Sequence, residues 1–90
     1  MPSSLHSPQY DIFRSMLIKA REEAGITQCA LARRLGKPQS FVSKLERGER
    51  RLDVPEFVLF AQALGIDTEK FLNDFRRALL AGGRPFPESA

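Results

Sequence analysis

Four polar side chains, Gln39, Ser40, Ser43 and Lys44, recur at the spacing that gathers them on one side of a short helix, while Phe41, Val42 and Leu45 line the other. Their chemistry suits the edges of bases in a DNA major groove. A glutamine amide can bond bidentately to adenine, a lysine seeks the acceptors of guanine, and a serine hydroxyl tolerates either partner. For Ser40 and Ser43 a merely solvated polar face is the alternative. Lys37, Arg47, Arg50 and Arg51 flank this set as phosphate-clamp candidates. Contacts of that kind position a protein on DNA without carrying sequence information.

Such side chains need a rigid mount. Residues 27–48, TQCALARRLGKPQSFVSKLERG, read as two short helices around one tight corner. In the first, Leu31, Ala32 and Leu35 share a face, with Arg33 and Arg34 turned outward and Thr27 as the N-cap. Position 30 is Ala where a capping box would have Glu or Gln, so the cap lacks its reciprocal bond. The corner runs from Gly36, suited to a left-handed helix end, to Pro38, whose fixed backbone angle suits a new helix start. The second helix begins at Gln39 and stops at Gly48. A helix-turn-helix whose second member offers amide, hydroxyl and ammonium groups on its free face is a geometry that enters the major groove.

The charge distribution points the same way. The chain of 90 residues has a net charge of only +3. Residues 33–51, however, carry seven Lys or Arg against two Glu, a local +5, whereas residues 1–32 balance and residues 52–90 are net −2. A solvated charge run is the bland explanation; beside a polar recognition face, a phosphate-facing surface is the better one.

The remaining elements are supports. Ser7 and Pro8 predict the start of a first helix over residues 8–24, with Phe13, Met16, Leu17, Ala20 and Ala24 on its stripe and Ile12 and Ile18 beside it. Asp53 and Glu56 form a capping pattern for a fourth helix with Phe57, Phe60, Ala61 and Leu64 inward and Gly65 at its end. Asp67 caps a fifth, with Phe71, Leu72, Phe75 and Leu79 on its buried side and Gly82-Gly83 as its stop. The expected fold is therefore all-α, five compact helices with the helix-turn-helix at the second and third. Residues 1–7 and 82–90 are expected as flexible tails around one domain at 8–81. The phenylalanines Phe41, Phe57, Phe60, Phe71 and Phe75 are read as core, because base-stacking platforms belong to single-strand binders.

Several classes are excluded. There is no nucleophile-base set, no paired carboxylates with a plausible cleft and no Cys/His spacing for zinc, so neither an enzyme nor a cofactor or metal site is expected. His6 stands without metal-ligand company. Cys29, the sole cysteine, permits no internal disulfide and reads as a partly exposed thiol, with a redox switch as the sharper alternative. Neither a secretory leader nor a membrane-length apolar run is visible, which favours a cytoplasmic location.

Thr27-Gln28, Leu31-Ala32, Leu35-Gly36, Gln39-Ser40, Val42-Ser43 and Leu45-Glu46-Arg47-Gly48 together resemble the lambda-repressor-like (xenobiotic-response-element) helix-turn-helix family. The likeness covers roughly residues 13–75. It implies base contacts from Gln39 and Ser40, a pair similar to one that a phage repressor of this family carries at the head of its recognition helix. Lys44 follows one turn on. From the same resemblance, Gln28 binds a phosphate and buttresses Gln39, while Arg21 and Glu46 form an ion pair that sets the angle of the recognition helix. Cys29 departs from the family, which more often has a charged residue there.

The expected function is a sequence-specific, double-stranded DNA-binding transcription regulator, a repressor acting as a homodimer on a palindrome. One recognition helix of about nine residues is only about 13 Å long and reads too few base pairs alone. Val58, Leu59 and Leu80, apolar residues without an obvious internal partner, are the expected dimer interface. Ninety residues leave no room for a sensor module, so regulation is expected through concentration or a protein partner. An antitoxin that also binds its toxin, and a protein adaptor on the same fold, are the alternatives.

Overall fold

The computed structural model describes residues 7–81, which form five helices: α1 (Pro8–Glu23), α2 (Gln28–Leu35), α3 (Gln39–Glu46), α4 (Val54–Leu64) and α5 (Thr68–Ala81). The tails at 1–6 and 82–90, with His6 and the Gly82-Gly83 stop, lie outside the described residues. Local chemistry sets most boundaries. Ser7 accepts the amide of Tyr10 in front of Pro8, and Thr27 accepts that of Ala30 at 3.0 Å. Asp53 and Glu56 close a reciprocal capping box, each side chain taking a backbone amide of the other. Asp67 accepts the amides of Glu69 and Lys70 at 2.9 and 3.3 Å, which starts α5.

The corner between α2 and α3 depends on Gly36, whose φ of +68° is a left-handed conformation that a side chain would strain. Its neighbour Lys37 sends its amide back to the carbonyl of Ala32 at 2.9 Å, satisfying the frayed end of α2. Pro38 then stands as an extended N-cap, and α3 begins at Gln39.

The core lies where α2, α3 and α4 meet α1 and α5. Leu31 and Val42 are fully buried and Phe60 nearly so. Each such side chain stabilises the fold by about 1.5–3 kcal/mol through removal of apolar surface from water. A second layer is aromatic: Phe13 of α1 meets Phe57, Phe71 and Phe75 with ring centroids 5.4–5.7 Å apart. Phe41 packs against the core from its edge. It is half-buried at the rim, with Lys37 Nζ 5.3 Å and the Arg50 guanidinium 4.7 Å from its ring centre.

Three apolar assignments differ from expectation. Ala24 is exposed, because α1 ends at Glu23 and Ala24 is its C-cap. Leu72 is 47% exposed rather than core, since a helix residue next to the buried Phe71 is rotated about 100° from it. Tyr10, absent from the predicted stripe, is buried because it lies seven residues before Leu17 on the same face of α1. Ile12 and Ile18 are both half-buried, which widens the inward face of α1.

Candidate nucleic-acid interface

Helix α1 organises the exposed helix α3 from behind. Tyr10, Arg14, Leu17 and Arg21 follow one another along one face of α1. Arg14 Nη1 donates to the carbonyl of Glu46, occupying an acceptor at the carboxyl end of α3. Seven residues further along α1, Arg21 meets the Glu46 side chain bidentately: Nε donates to Oε2 at 2.6 Å and Nη2 to Oε1 at 3.0 Å. The two side chains are only 13% and 9% exposed, so the pair is largely shielded from competing water. The carboxylate holds the Arg21 guanidinium above its ordinary pKa. A third bond, from Arg21 Nη1 to the carbonyl of Ile26 at 2.8 Å, ties the same guanidinium to the turn that leads into α2.

Glu46 also connects α3 to α2. Its Oε1 accepts from Gln28 Nε2 at 2.8 Å, and Gln28 Oε1 in turn accepts from Gln39 Nε2 at 2.8 Å. Arg21, Glu46, Gln28 and Gln39 thus form one continuous chain of hydrogen bonds from α1 to the head of α3. Gln39 and Ser40 are exposed there, and Lys44 is exposed one turn on. Ser43 is placed differently. Half-buried, its hydroxyl donates to the carbonyl of Ser40 at 3.3 Å and accepts from Arg47 Nη1 at 3.2 Å, so its hydrogen bonds stay within the α3 region.

The basic loop after α3 is also internally engaged. Arg47 pairs bidentately with Glu49 at 2.9 and 3.1 Å, which raises the arginine pKa and lowers that of the glutamate. Arg50 pairs bidentately with Glu56 at 3.0 and 2.8 Å and also donates to the carbonyl of Arg51 at 2.9 Å. The Arg51 guanidinium lies 4.4 Å from the centre of the Tyr10 ring. Beneath the loop, Leu52 is buried, its amide donating to the Tyr10 hydroxyl at 3.1 Å. That hydroxyl reaches on to the carbonyl of Arg50 at 3.5 Å. Lys37 is exposed on the other side, against Phe41.

Sequence reasoning missed the parts played by Tyr10 and Arg14. Tyr10 was legible in principle, being three residues before Phe13 and seven before Leu17; Arg14 looks like any solvated charge until α3 is placed against it. Cys29 is exposed near the start of α2. Among the described residues no cluster of metal-ligating side chains occurs, and no helix is long and apolar enough to cross a membrane.

A helix-turn-helix family model matches residues 17–71, from the middle of α1 to the first turn of α5. The chain belongs to the XRE-family, lambda-repressor-like helix-turn-helix proteins. Among solved structures of this XRE family, one XRE-family like protein from Pseudomonas syringae pv. tomato is 48% identical, covering 78% of this chain and 85% of that one, with a TM-score of 0.75. The HTH-type transcriptional regulator PrpR of Mycobacterium tuberculosis is 34% identical over 65 residues, 72% of this chain. The match takes up only 13% of that regulator's length. The restriction-modification controller protein C.Esp1396I, solved as a tetramer with its natural 35 base-pair operator, shares the fold. It has a TM-score of 0.75 at 24% identity and covers 83% of this chain and 99% of its own.

Proposed function

We propose that this chain binds double-stranded DNA sequence-specifically and acts as a transcription regulator in the cytoplasm, with α3 as the element that enters the major groove. The observation that carries this reading is the exposed amide of Gln39 at the head of α3, held by Gln28 rather than left mobile. A pre-oriented amide loses less conformational freedom when it meets a base edge. Ser40 and Lys44 extend the reading surface. Gln28, Lys37, Arg47, Arg50 and Arg51 surround it with phosphate-binding groups, several of which would exchange an internal partner for a phosphate. The resemblance to a transcriptional regulator and to an operator-bound controller supports the same class of activity.

The finer reading is a repressor that binds as a homodimer. An eight-residue α3 spans only about 12 Å and contacts a handful of base pairs, so two copies on a pseudo-palindrome are needed for useful specificity. Val58, Leu59 and Leu80 are 42%, 57% and 62% exposed, apolar surface available for a two-fold contact between α4 and α5 of two copies. Such a contact would set the recognition helices about 34 Å apart, one turn of DNA.

Selection of bound sequences from a random duplex pool tests the reading in one step. The expected result is a two-fold symmetric motif with half-sites about 10 base pairs apart. Recovery of no sequence above the starting pool would reject specific DNA binding.

A further inference from the structure

The hydrogen-bond chain behind Gln39 has a direction, and that direction bears on which base Gln39 can read. Arg21 only donates, and the Glu46 carboxylate paired with it only accepts. Gln28 must therefore present its Nε2 to Glu46, at 2.8 Å, and its oxygen to the opposite side. Gln39 must in turn spend an N–H on that oxygen, also at 2.8 Å. What remains on Gln39 is its own oxygen and one N–H. One acceptor beside one donor complements the major-groove edge of adenine, which offers N6–H and N7. It conflicts with guanine, whose O6 and N7 both accept.

We infer that Glu46, shielded at the carboxyl end of α3, determines the base specificity of Gln39 by fixing the sense of the Arg21–Glu46–Gln28–Gln39 hydrogen-bond chain. The inference rests on the reading of Gln39 as a base-contacting residue. Glu46 is a positioning residue in this scheme, acting through two amides. Its consequence is a preference that a change at position 46 can remove. Glu46→Gln preserves shape but replaces one accepting oxygen by an NH2 group. Arg21 Nε makes the shortest contact of the pair, 2.6 Å to Oε2, and so retains the amide oxygen at that place. The new NH2 then faces Gln28, at the loss of one Arg21 bond. Gln28 turns its amide over to accept, and sends its own NH2 to the Gln39 oxygen. Gln39 is left with both N–H groups and one lone pair of its oxygen, so guanine becomes acceptable as well as adenine.

The test is selection from a random duplex pool with the 90-residue chain as wild type, Glu46→Gln and Gln28→Ala, comparing base frequencies position by position. Folding of each variant is followed by circular dichroism. Wild type is expected to prefer adenine at the position that Gln39→Ala relaxes. In Glu46→Gln the adenine-to-guanine ratio at that one position should fall by about tenfold, with the rest of the motif kept. In Gln28→Ala the ratio should fall toward unity, since the released amide can adopt either sense. Retention of full adenine preference by a folded Glu46→Gln overturns the inference. So does an unchanged ratio in Gln28→Ala, which decides the matter alone if Glu46→Gln does not fold. A wild-type motif with guanine at that position also overturns it. Failure of wild type to enrich any sequence would instead sink the DNA-binding reading, and this inference with it.

Discussion

Arg50 and Glu56 face each other as a bidentate ion pair, 3.0 and 2.8 Å long, that joins the basic loop to the first turn of α4. The same guanidinium covers the Phe41 ring of α3. One side chain therefore bridges the loop and two helices, and part of its charge is offset before any phosphate arrives.

This pair has a consequence in acid. The Arg50 bonds, and then the Asp53 amide, hold the Glu56 carboxyl down at about 2, against an ordinary value of 4.5. A carboxyl whose folded pKa is depressed contributes stability that is full above its unfolded value and is lost as pH falls through the folded one. Glu56→Gln should thus be less stable than wild type at neutral pH, by on the order of 1 kcal/mol given partial exposure. The difference should shrink between about pH 4.5 and pH 2. Urea unfolding of both proteins across that window checks it; a gap independent of pH would contradict the assignment.

Arg50 and Lys37 should separate in their salt dependence. Lys37→Ala is expected to reduce the slope of log affinity against log salt by about one unit, as loss of one phosphate contact does. Arg50→Ala should reduce it by less, because Glu56 already balances that charge, while lowering the melting temperature more. Binding titrations at several salt concentrations decide between the two, and a full unit lost in Arg50→Ala would count against an internal role.

Breaking the shielded Arg21–Glu46 pair should be costly even though Arg21 sits behind α3. Arg21→Ala is expected to destabilise the fold by about 3 kcal/mol, the scale for leaving one buried charge alone. Removing both charges should recover part of that loss, with a coupling of about 1 kcal/mol or more. A double-mutant cycle by chemical denaturation that showed strict additivity would remove the brace from the account of how α3 is oriented.

Gln39→Ala should cost about 1–3 kcal/mol on the best site and relax preference at one base position only. Competition binding with single-base variants of that site provides the measurement. Equal loss on every sequence would mean that Gln39 contacts the backbone instead.

For assembly, sedimentation of wild type and Leu80→Glu with and without a selected duplex is the decisive comparison. Wild type is expected as a dimer on a full site, and the charge placed in the proposed α4–α5 contact should cut full-site affinity by about tenfold or more, without changing half-site binding. A wild-type monomer that binds one half-site at full affinity would refute the dimer.

Much of the architecture was legible in the residue order because its causes are local. A glycine that accepts the left-handed conformation at position 36, the Asp53–Glu56 capping box and the Ser7-Pro8 start each act within a few residues. Helical periodicity likewise carried Leu31, Val42, Phe60 and Phe71 inward. What the order could not determine was how long polar side chains spend their hydrogen bonds: Gln28, Arg21, Arg14 and Tyr10 find partners 18 to 42 residues away, and even near neighbours meet only when the backbone turns them together. Arg50 and Arg47 read as phosphate ligands until the fold brings Glu56 and Glu49 within reach. Ser43 reads as a base contact until Arg47 and the Ser40 carbonyl take its hydroxyl. Arg14 and Tyr10 acquire their roles only when α1 lies behind α3 and the loop. Sequence alone determined which helices form and which faces are apolar, since backbone propensity and side-chain period are properties of neighbours. Tertiary structure alone decided the sense of the relay from Arg21 to Gln39, since the direction of an amide is set by the donor or acceptor that folding places against it.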